Sequence, residues 1–258
     1  MKIAVCFSGQ VRTGVETFPV LRKFFGNLFS DIDFFIHTWT NNSISKWALD
    51  NRDPSIAYAI FPADGLEEIK VLYKPKSMIV NDLPVYNKKI TDERRIKFSS
   101  VNPMFSSIYE SNKLKTQYEH DHGFTYDIVL RLRFDQIFDI NNTLSKEIDY
   151  FLRRSFNDHL NLNRLSTCDY HNKLPYAVDD IAWIAKSKDM DLACNFVFER
   201  ENKSNNNTGI LLDWQQHFKD YLEENQIRPH NWKNNNLYIY RDYHALKNVS
   251  PFDTDLLV

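Results

Sequence analysis

Glycine, proline and cysteine are all scarce in this chain, with 6, 9 and 3 among 258 residues. So few glycines exclude collagen-like and linker-rich architectures, and they leave little material for loops that wrap phosphates with bare backbone. Three cysteines in a chain this long exclude a disulfide scaffold; Cys6, Cys168 and Cys194 read as reduced thiols that pack as small apolar groups. An excess of either charge is also missing. Lys and Arg total 32 against 34 Asp and Glu, a net of -2, whereas a nucleic-acid binder of this size carries a basic excess. No apolar run approaches the roughly 18 to 20 residues of a membrane span. Met1-Lys2 is followed by a run of only five apolar residues, too short for a secretory signal, so a cytoplasmic protein without a transmembrane segment is expected. The sequons at Asn41-Asn42-Ser43 and Asn206-Asn207-Thr208 then reflect Asn-rich composition rather than glycosylation.

What the chain does hold is aromatic bulk. Its 19 Phe, 13 Tyr and 5 Trp supply enough surface for one substantial core. Ile3 to Phe7 is a continuous apolar run, as in a strand buried on both faces. Thr13 to Phe29 carries Val15, Phe18, Leu21, Phe25 and Leu28 at helical spacing, and Thr13 with Glu16 fits a capping box. Asp31 to Trp39 is a second buried strand, so the first forty residues read β-α-β with a parallel pair. Further along, Glu67 to Tyr73 reads as a short helix and Ser77 to Val80 as a strand. Residues 82 to 102 read as a polar loop with a basic cluster, and Pro103 to His120 as a helix ended by Gly123. Tyr126 to Asp135 is a strong strand.

The middle is less regular, with weak helical character from Trp47 to Ile60. In the second half, β-like segments run from His159 to Leu165 and Ile181 to Ala185. Helices are expected at Asp189 to Glu199 and Ile210 to Asn225, and a last strand at Leu237 to Tyr243. The fold class expected is α/β, a Rossmann-type mixed sheet flanked by helices, with an α+β C-terminal half. One domain spanning 1–258 is expected, with a binding half at 1–140 and a second half at 141–258.

In an open α/β sheet, ligands bind beyond the carboxyl ends of the parallel strands. Ser8-Gly9-Gln10-Val11-Arg12-Thr13 follows the first strand, and a helix start with one glycine and one Arg suits an anion, though an ordinary β-α turn looks the same. His37-Thr38-Trp39 ends the second strand; the indole suits a stacked base, and equally a ring packed under a loop. In Arg131-Leu132-Arg133-Phe134-Asp135, alternation puts Arg131, Arg133 and Asp135 on one face of an apolar strand. That arrangement is costly unless it is a paired network or a diphosphate and cation site. Asp179 and Asp180 are adjacent carboxylates before a hydrophobic strand, suited to general acid or base work or to a simple turn. His244 follows the last strand as a possible late ligand. No H-E-x-x-H, C-x-x-C, G-x-S-x-G, P-loop or G-x-G-x-x-G motif occurs, which argues against a zinc enzyme, a serine hydrolase and dinucleotide or P-loop nucleotide chemistry.

Taken together, Cys6-Phe7-Ser8-Gly9-Gln10-Val11-Arg12, Asp33 to Trp39, Tyr126 to Asp135 and Val178-Asp179-Asp180 resemble a group of GT-A-like glycosyltransferases of bacteria and large DNA viruses. The resemblance covers roughly residues 1 to 200. It implies a nucleotide-sugar donor bound in the N-terminal half by Ser8, Gly9, Gln10, Arg12, His37, Trp39, Arg131 and Arg133. It implies a divalent cation, Mn2+ or Mg2+, at Asp135 with help from His244. A glycan or glycoconjugate acceptor would enter from the C-terminal half and lose its proton to Asp179 or Asp180. One departure stands out: Arg133 occupies the place of the first acid of the family's Asp-x-Asp pair. Two other readings compete: a sulfotransferase-like enzyme using a phosphorylated donor, and a non-catalytic carbohydrate-binding protein.

Overall fold

The computed structural model of the chain describes residues 1–11, 13–40, 65–82, 85–86, 88–89, 102–138, 143–157, 163–168, 182–196, 198–199, 214–232 and 237–239. Nine strands fall among them: β1 (Ile3–Ser8), β2 (Ile32–Trp39), β3 (Ser77–Asn81), β4 (Ile128–Leu132), β5 (Gln136–Phe138), β6 (Asn163–Cys168), β7 (Trp183–Ala185), β8 (Ile227–Trp232) and β9 (Leu237–Ile239). The helices are α1 (Gly14–Phe25), α2 (Gly65–Tyr73), α3 (Asn102–His122), α4 (Leu144–Asn157), α5 (Ser187–Cys194) and α6 (Trp214–Glu224), with a 3-10 turn at Gly26–Asp31.

Seven strands form one sheet in the order β3-β2-β1-β4-β7-β6-β8, and β5 pairs with β9 in a second, two-stranded sheet. Strands β1, β2, β3 and β4 are mutually parallel, and β7 alone runs against its neighbours β4 and β6. The expected α/β class and mixed, helix-flanked sheet are what the chain adopts. Strict alternation explains why both faces are covered. Ile3, Val5 and Phe7 join Ile128, Leu130 and Leu132 in one apolar cluster, which Leu21, Phe24 and Ile69 complete from α1 and α2. Ala4, Cys6, Val129 and Trp183 point the other way, into a cluster with Phe105 and Ile108 of α3 and Phe218 of α6. A strand sealed on both faces can be apolar at every position, which is why β1 reads as an unbroken run.

Polar groups pin the second face. Lys115 of α3 is fully buried and pairs with Glu119 (3.0 Å) and Asp191 of α5 (2.7 Å). It also donates to the Ser187 hydroxyl, which in turn donates to Glu119 (2.7 Å). Burial alone would lower the Lys115 ammonium, but the charge and hydrogen bond of Asp191, with Glu119, outweigh it and hold it above its usual range. Removing one partner of such a buried cluster costs about 3–5 kcal/mol, so this network locks α3 to α5.

Several expectations shift. The first helix stops at Phe25 because Gly26 turns to φ 56, and the rest of the expected helix is a 3-10 turn. Thr13 makes no side-chain capping bond; it sits at φ -94, ψ 23, where its carbonyl receives the Thr17 N–H (2.9 Å). The expected strand to Asp135 ends at Leu132, so Arg133 and Asp135 lie in a turn before β5 rather than on one strand face with Arg131. Helical residues at 85, 86, 88 and 89 interrupt the expected loop. Helix α4 and strand β8 are additions. The stretch of weak helical character at Trp47 to Ile60 lies outside the described residues. Among the described residues no helix is long and apolar enough to cross a membrane.

The start of α1 is a tight joint. A Cβ on Gly14 would stand 2.9 Å from Val11 Cγ1, 3.1 Å from Ile69 Cδ1 and 3.1 Å from Phe134 Cβ. The Gly14 carbonyl accepts from the buried Tyr73 hydroxyl (2.9 Å), and Thr17 donates to the Phe134 carbonyl (2.6 Å). Gly14→Ala should therefore overpack the joint and cost about 1–3 kcal/mol, measured as a lowered urea midpoint with unchanged slope; wild-type stability in that variant would disprove the tight fit.

Candidate active site at the carboxyl ends of β1 and β4

Chain order leaves β1 through α1 to β2 on one side, while β4 joins β1 on the other. The sheet therefore reverses its winding between β1 and β4, and a crevice opens beyond their carboxyl ends at such a point. Ser8 ends β1, Arg131 lies near the end of β4, and the Arg133-Phe134-Asp135 turn follows directly.

Arg131 is 2% exposed. Its Nε donates to Ser8 Oγ (2.9 Å), and its guanidinium lies 5.4 Å from the Trp183 ring centre. Register explains both contacts, since Arg131 stands opposite Cys6 on β1 and opposite Trp183 on β7. In the next turn Arg133 grips Asp135 side-on, Nε to Oδ1 at 2.9 Å and Nη2 to Oδ2 at 2.8 Å. Gln136 Oε1 accepts the Arg133 backbone N–H (2.7 Å) and closes the turn. Phe134 anchors it from below by stacking on Phe7, with ring centres 4.9 Å apart.

Gly9 stands in the left-handed region at φ 102, and its N–H donates to Ser107 Oγ of α3 (2.7 Å). The same hydroxyl lies 2.8 Å from His37 Nδ1 and donates to the His37 carbonyl (3.3 Å). Asn81 of β3 donates from Nδ2 to His37 Nε2 (3.1 Å), which puts the ring hydrogen on Nδ1. His37 is fully buried, with both ring nitrogens engaged, and Trp39 packs edge-on against it (4.6 Å) and against Tyr86 (5.1 Å). One serine thus ties together the ends of β1 and β2, with β3 joined through His37. Sequence reading missed Ser107 and Asn81, because a lone serine inside a helix carries no signal of what it faces.

Ser8, Gly9, Gln10, Arg131, Arg133 and Asp135 all come from the ends of two neighbouring strands. His37 and Trp39 lie one strand further out. Arg12, Asp179, Asp180 and His244 lie outside the described residues. Among the described residues, no three His, Cys, Asp or Glu side chains gather as cation ligands. Both Asp135 oxygens accept from Arg133, so the described residues do not fit the cation that the family resemblance implies. What the arrangement can do is present an anion with guanidinium donors: two arginines and one carboxylate gather at these strand ends.

Burial pushes the His37 imidazole down from 6.5 to about 3. The unfolded chain takes up this proton near pH 6.5, whereas the folded chain refuses it until much lower pH. The stability contributed by the neutral ring is thus complete above pH 6.5 and falls by about 1.4 kcal/mol per pH unit as the solution is acidified toward the folded value. Urea denaturation of wild type and His37→Gln from pH 4 to 7 should show a shallower pH slope in the variant by about one proton; equal slopes would contradict a neutral buried ring.

Neither a family model nor a curated protein matches the sequence. Among solved structures, the chain is similar to the apo-form glycosyltransferase GlyE of Streptococcus pneumoniae, at 14% identity over 91% of this chain and 46% of that one, TM-score 0.43. It spans less than half the length of that protein. It is similar to the galactosyltransferase LgtC solved with donor and acceptor sugar analogues, at 12% identity over 89% of this chain and 73% of that one, TM-score 0.37. It is also similar to a nucleoside-diphosphate-sugar pyrophosphorylase of Vibrio cholerae, at 9% identity over 95% of this chain and 98% of that one, TM-score 0.43. These likenesses are loose, and none fixes an activity.

Proposed function

We propose that the chain is a GT-A-like glycosyltransferase that moves a sugar from a nucleoside-diphosphate sugar to a hydroxyl of a glycan or glycoconjugate. One arrangement supports this above all. At the point where the sheet reverses, Arg131, bonded to Ser8 across β1 and β4, stands two residues before Arg133. Two guanidiniums there suit a diphosphate leaving group. The motifs around them are those that resemble the glycosyltransferase group, and the missing glycine-rich loops weigh against the other nucleotide folds.

In this scheme residues 1–140 bind the donor and 141–258 the acceptor. Ser8, Gly9, Gln10 and Arg12 contact the nucleotide, while His37 and Trp39 shape the wall behind it. As the bond between the anomeric carbon and the phosphate oxygen breaks, negative charge grows on the departing nucleoside diphosphate. Arg131 and Arg133 stabilise that charge in place, a contribution that is largest where water is excluded. In an inverting transfer the acceptor oxygen forms the new bond and its proton passes to Asp179 or Asp180. That acidic pair gives a sulfuryl donor nothing, which sets the sulfotransferase alternative behind.

A thermal-shift panel of nucleoside diphosphates and their sugars tests the donor class. Saturating the right base should raise the melting temperature by roughly 5 °C or more, and flat melting across the panel would defeat the proposal. Asp179→Asn or Asp180→Asn should then lower transfer by about 100-fold or more while keeping that shift; full activity in both variants would remove the pair from the mechanism.

A further inference from the structure

Asp135 is the carboxylate that the family resemblance assigns to a cation, yet its surroundings are those of an ion pair. Arg133 covers both carboxylate oxygens, through Nε at 2.9 Å and Nη2 at 2.8 Å. Exposure then decides which charge a ligand meets: the Arg133 side chain is 17% exposed and that of Asp135 only 2%. Of the pair, the arginine side chain is the part that reaches solvent. The turn is also stiff, because Gln136 holds the Arg133 N–H (2.7 Å), Thr17 holds the Phe134 carbonyl (2.6 Å) and Phe134 stacks on Phe7. Swinging Arg133 aside to open Asp135 would break a partly buried bidentate pair and leave a guanidinium beside an incoming divalent cation. Arg131, two residues earlier, adds a second positive charge on the same strand end.

We infer that the anion-receiving group beyond β4 is the Arg133 guanidinium itself, that Asp135 is the positioning residue that aims it, and that a diphosphate binds here without a divalent cation at Asp135. Only the identity of the diphosphate as part of a nucleotide rests on the glycosyltransferase proposal. The carboxylate does for the guanidinium what a second carboxylate would do for a metal: it fixes the orientation of the charge before the ligand arrives. A fixed fork loses little freedom when it binds a phosphate, whereas a lysine at the same place would offer charge without the planar geometry.

Calorimetric titration of the full chain with pyrophosphate, UDP and GDP, each in EDTA and in Mn2+, tests this. Pyrophosphate or a nucleotide should bind in EDTA, with no requirement for Mn2+. Arg133→Ala and Arg133→Lys should each weaken binding by about 10- to 100-fold, the lysine variant guarding against a simple loss of folding. Asp135→Asn should weaken it by the same factor in EDTA and in Mn2+, since it acts through Arg133. Binding that requires Mn2+ and vanishes in Asp135→Asn would overturn the inference. Pyrophosphate held by Arg133 in EDTA, with neither nucleotide binding more tightly, would support it and count against the glycosyltransferase proposal. A nucleotide bound only with Mn2+ would do the reverse, and no binding of any probe would overturn both.

Discussion

Burying a guanidinium is the constraint around which this molecule is arranged. Arg131 is 2% exposed in a strand whose other residues are apolar. Stripping such an ion of water costs several kcal/mol unless its donors are met and its face is covered. The sheet order supplies both from its flanks. Strand β1 brings Ser8 Oγ to the Arg131 Nε, and the single reversed strand, β7, brings Trp183 under the guanidinium. Were β4 paired with any other strand, neither partner would stand where it does, because both are fixed by register.

The two turns beyond this buried charge are then held from opposite faces of the sheet. On the α3 side, Ser107 fixes Gly9 and His37 together. On the α1 side, Thr17 and the tight approach of Gly14 fix the Arg133 turn through Phe134. Each turn thus has a helix as its splint; α3 is itself anchored away from the crevice by the Lys115 network, and α1 is held at its start, where Tyr73 donates to the Gly14 carbonyl. A site supported this way keeps its geometry without a ligand, which is the condition for stabilising charge that appears only during a reaction.

How much of this could be read from sequence depended on whether a residue's role was local. Strands β1, β2 and β4 were legible because burial on both faces leaves a continuous apolar run, and α1 was legible from its three-to-four spacing. Strand β8 was not: Ile227-Arg228-Pro229-His230-Asn231-Trp232 has neither an apolar run nor alternation, and a proline is tolerated there because β8 lies at the sheet edge. Helix α4 does carry Leu144, Ile148, Phe151 and Leu152 on one stripe, a signal obscured by its polar remainder. Among site residues, Arg131, Arg133 and Asp135 stood out because charge in an apolar setting demands a reason, and Ser8 because it opens the turn between a strand and a helix. Ser107 and Asn81 did not. Alternation placed Arg133 and Asp135 on one face of a longer strand; their pairing comes instead from a turn, because the strand stops at Leu132.

The scarcity of glycine now has a structural counterpart. A phosphate can be held by backbone N–H groups in a glycine-rich loop, or by guanidiniums whose own orientation must be fixed. Backbone donors need no aiming because the loop conformation sets them. Side-chain donors do, since an arginine free in solution loses about 2 kcal/mol of rotamer entropy when it is held. Here that ordering is done in advance. The Asp135 fork holds Arg133 and the Ser8 hydroxyl holds Arg131, so the entropy is lost on folding rather than on binding. The cost moves into fold stability, where the aromatic packing of Phe7 on Phe134 and of Trp183 on Phe218 offsets it. Among the described residues of the proposed site, one glycine, Gly9, stands in the left-handed region, and the charges are delivered by side chains held in the core.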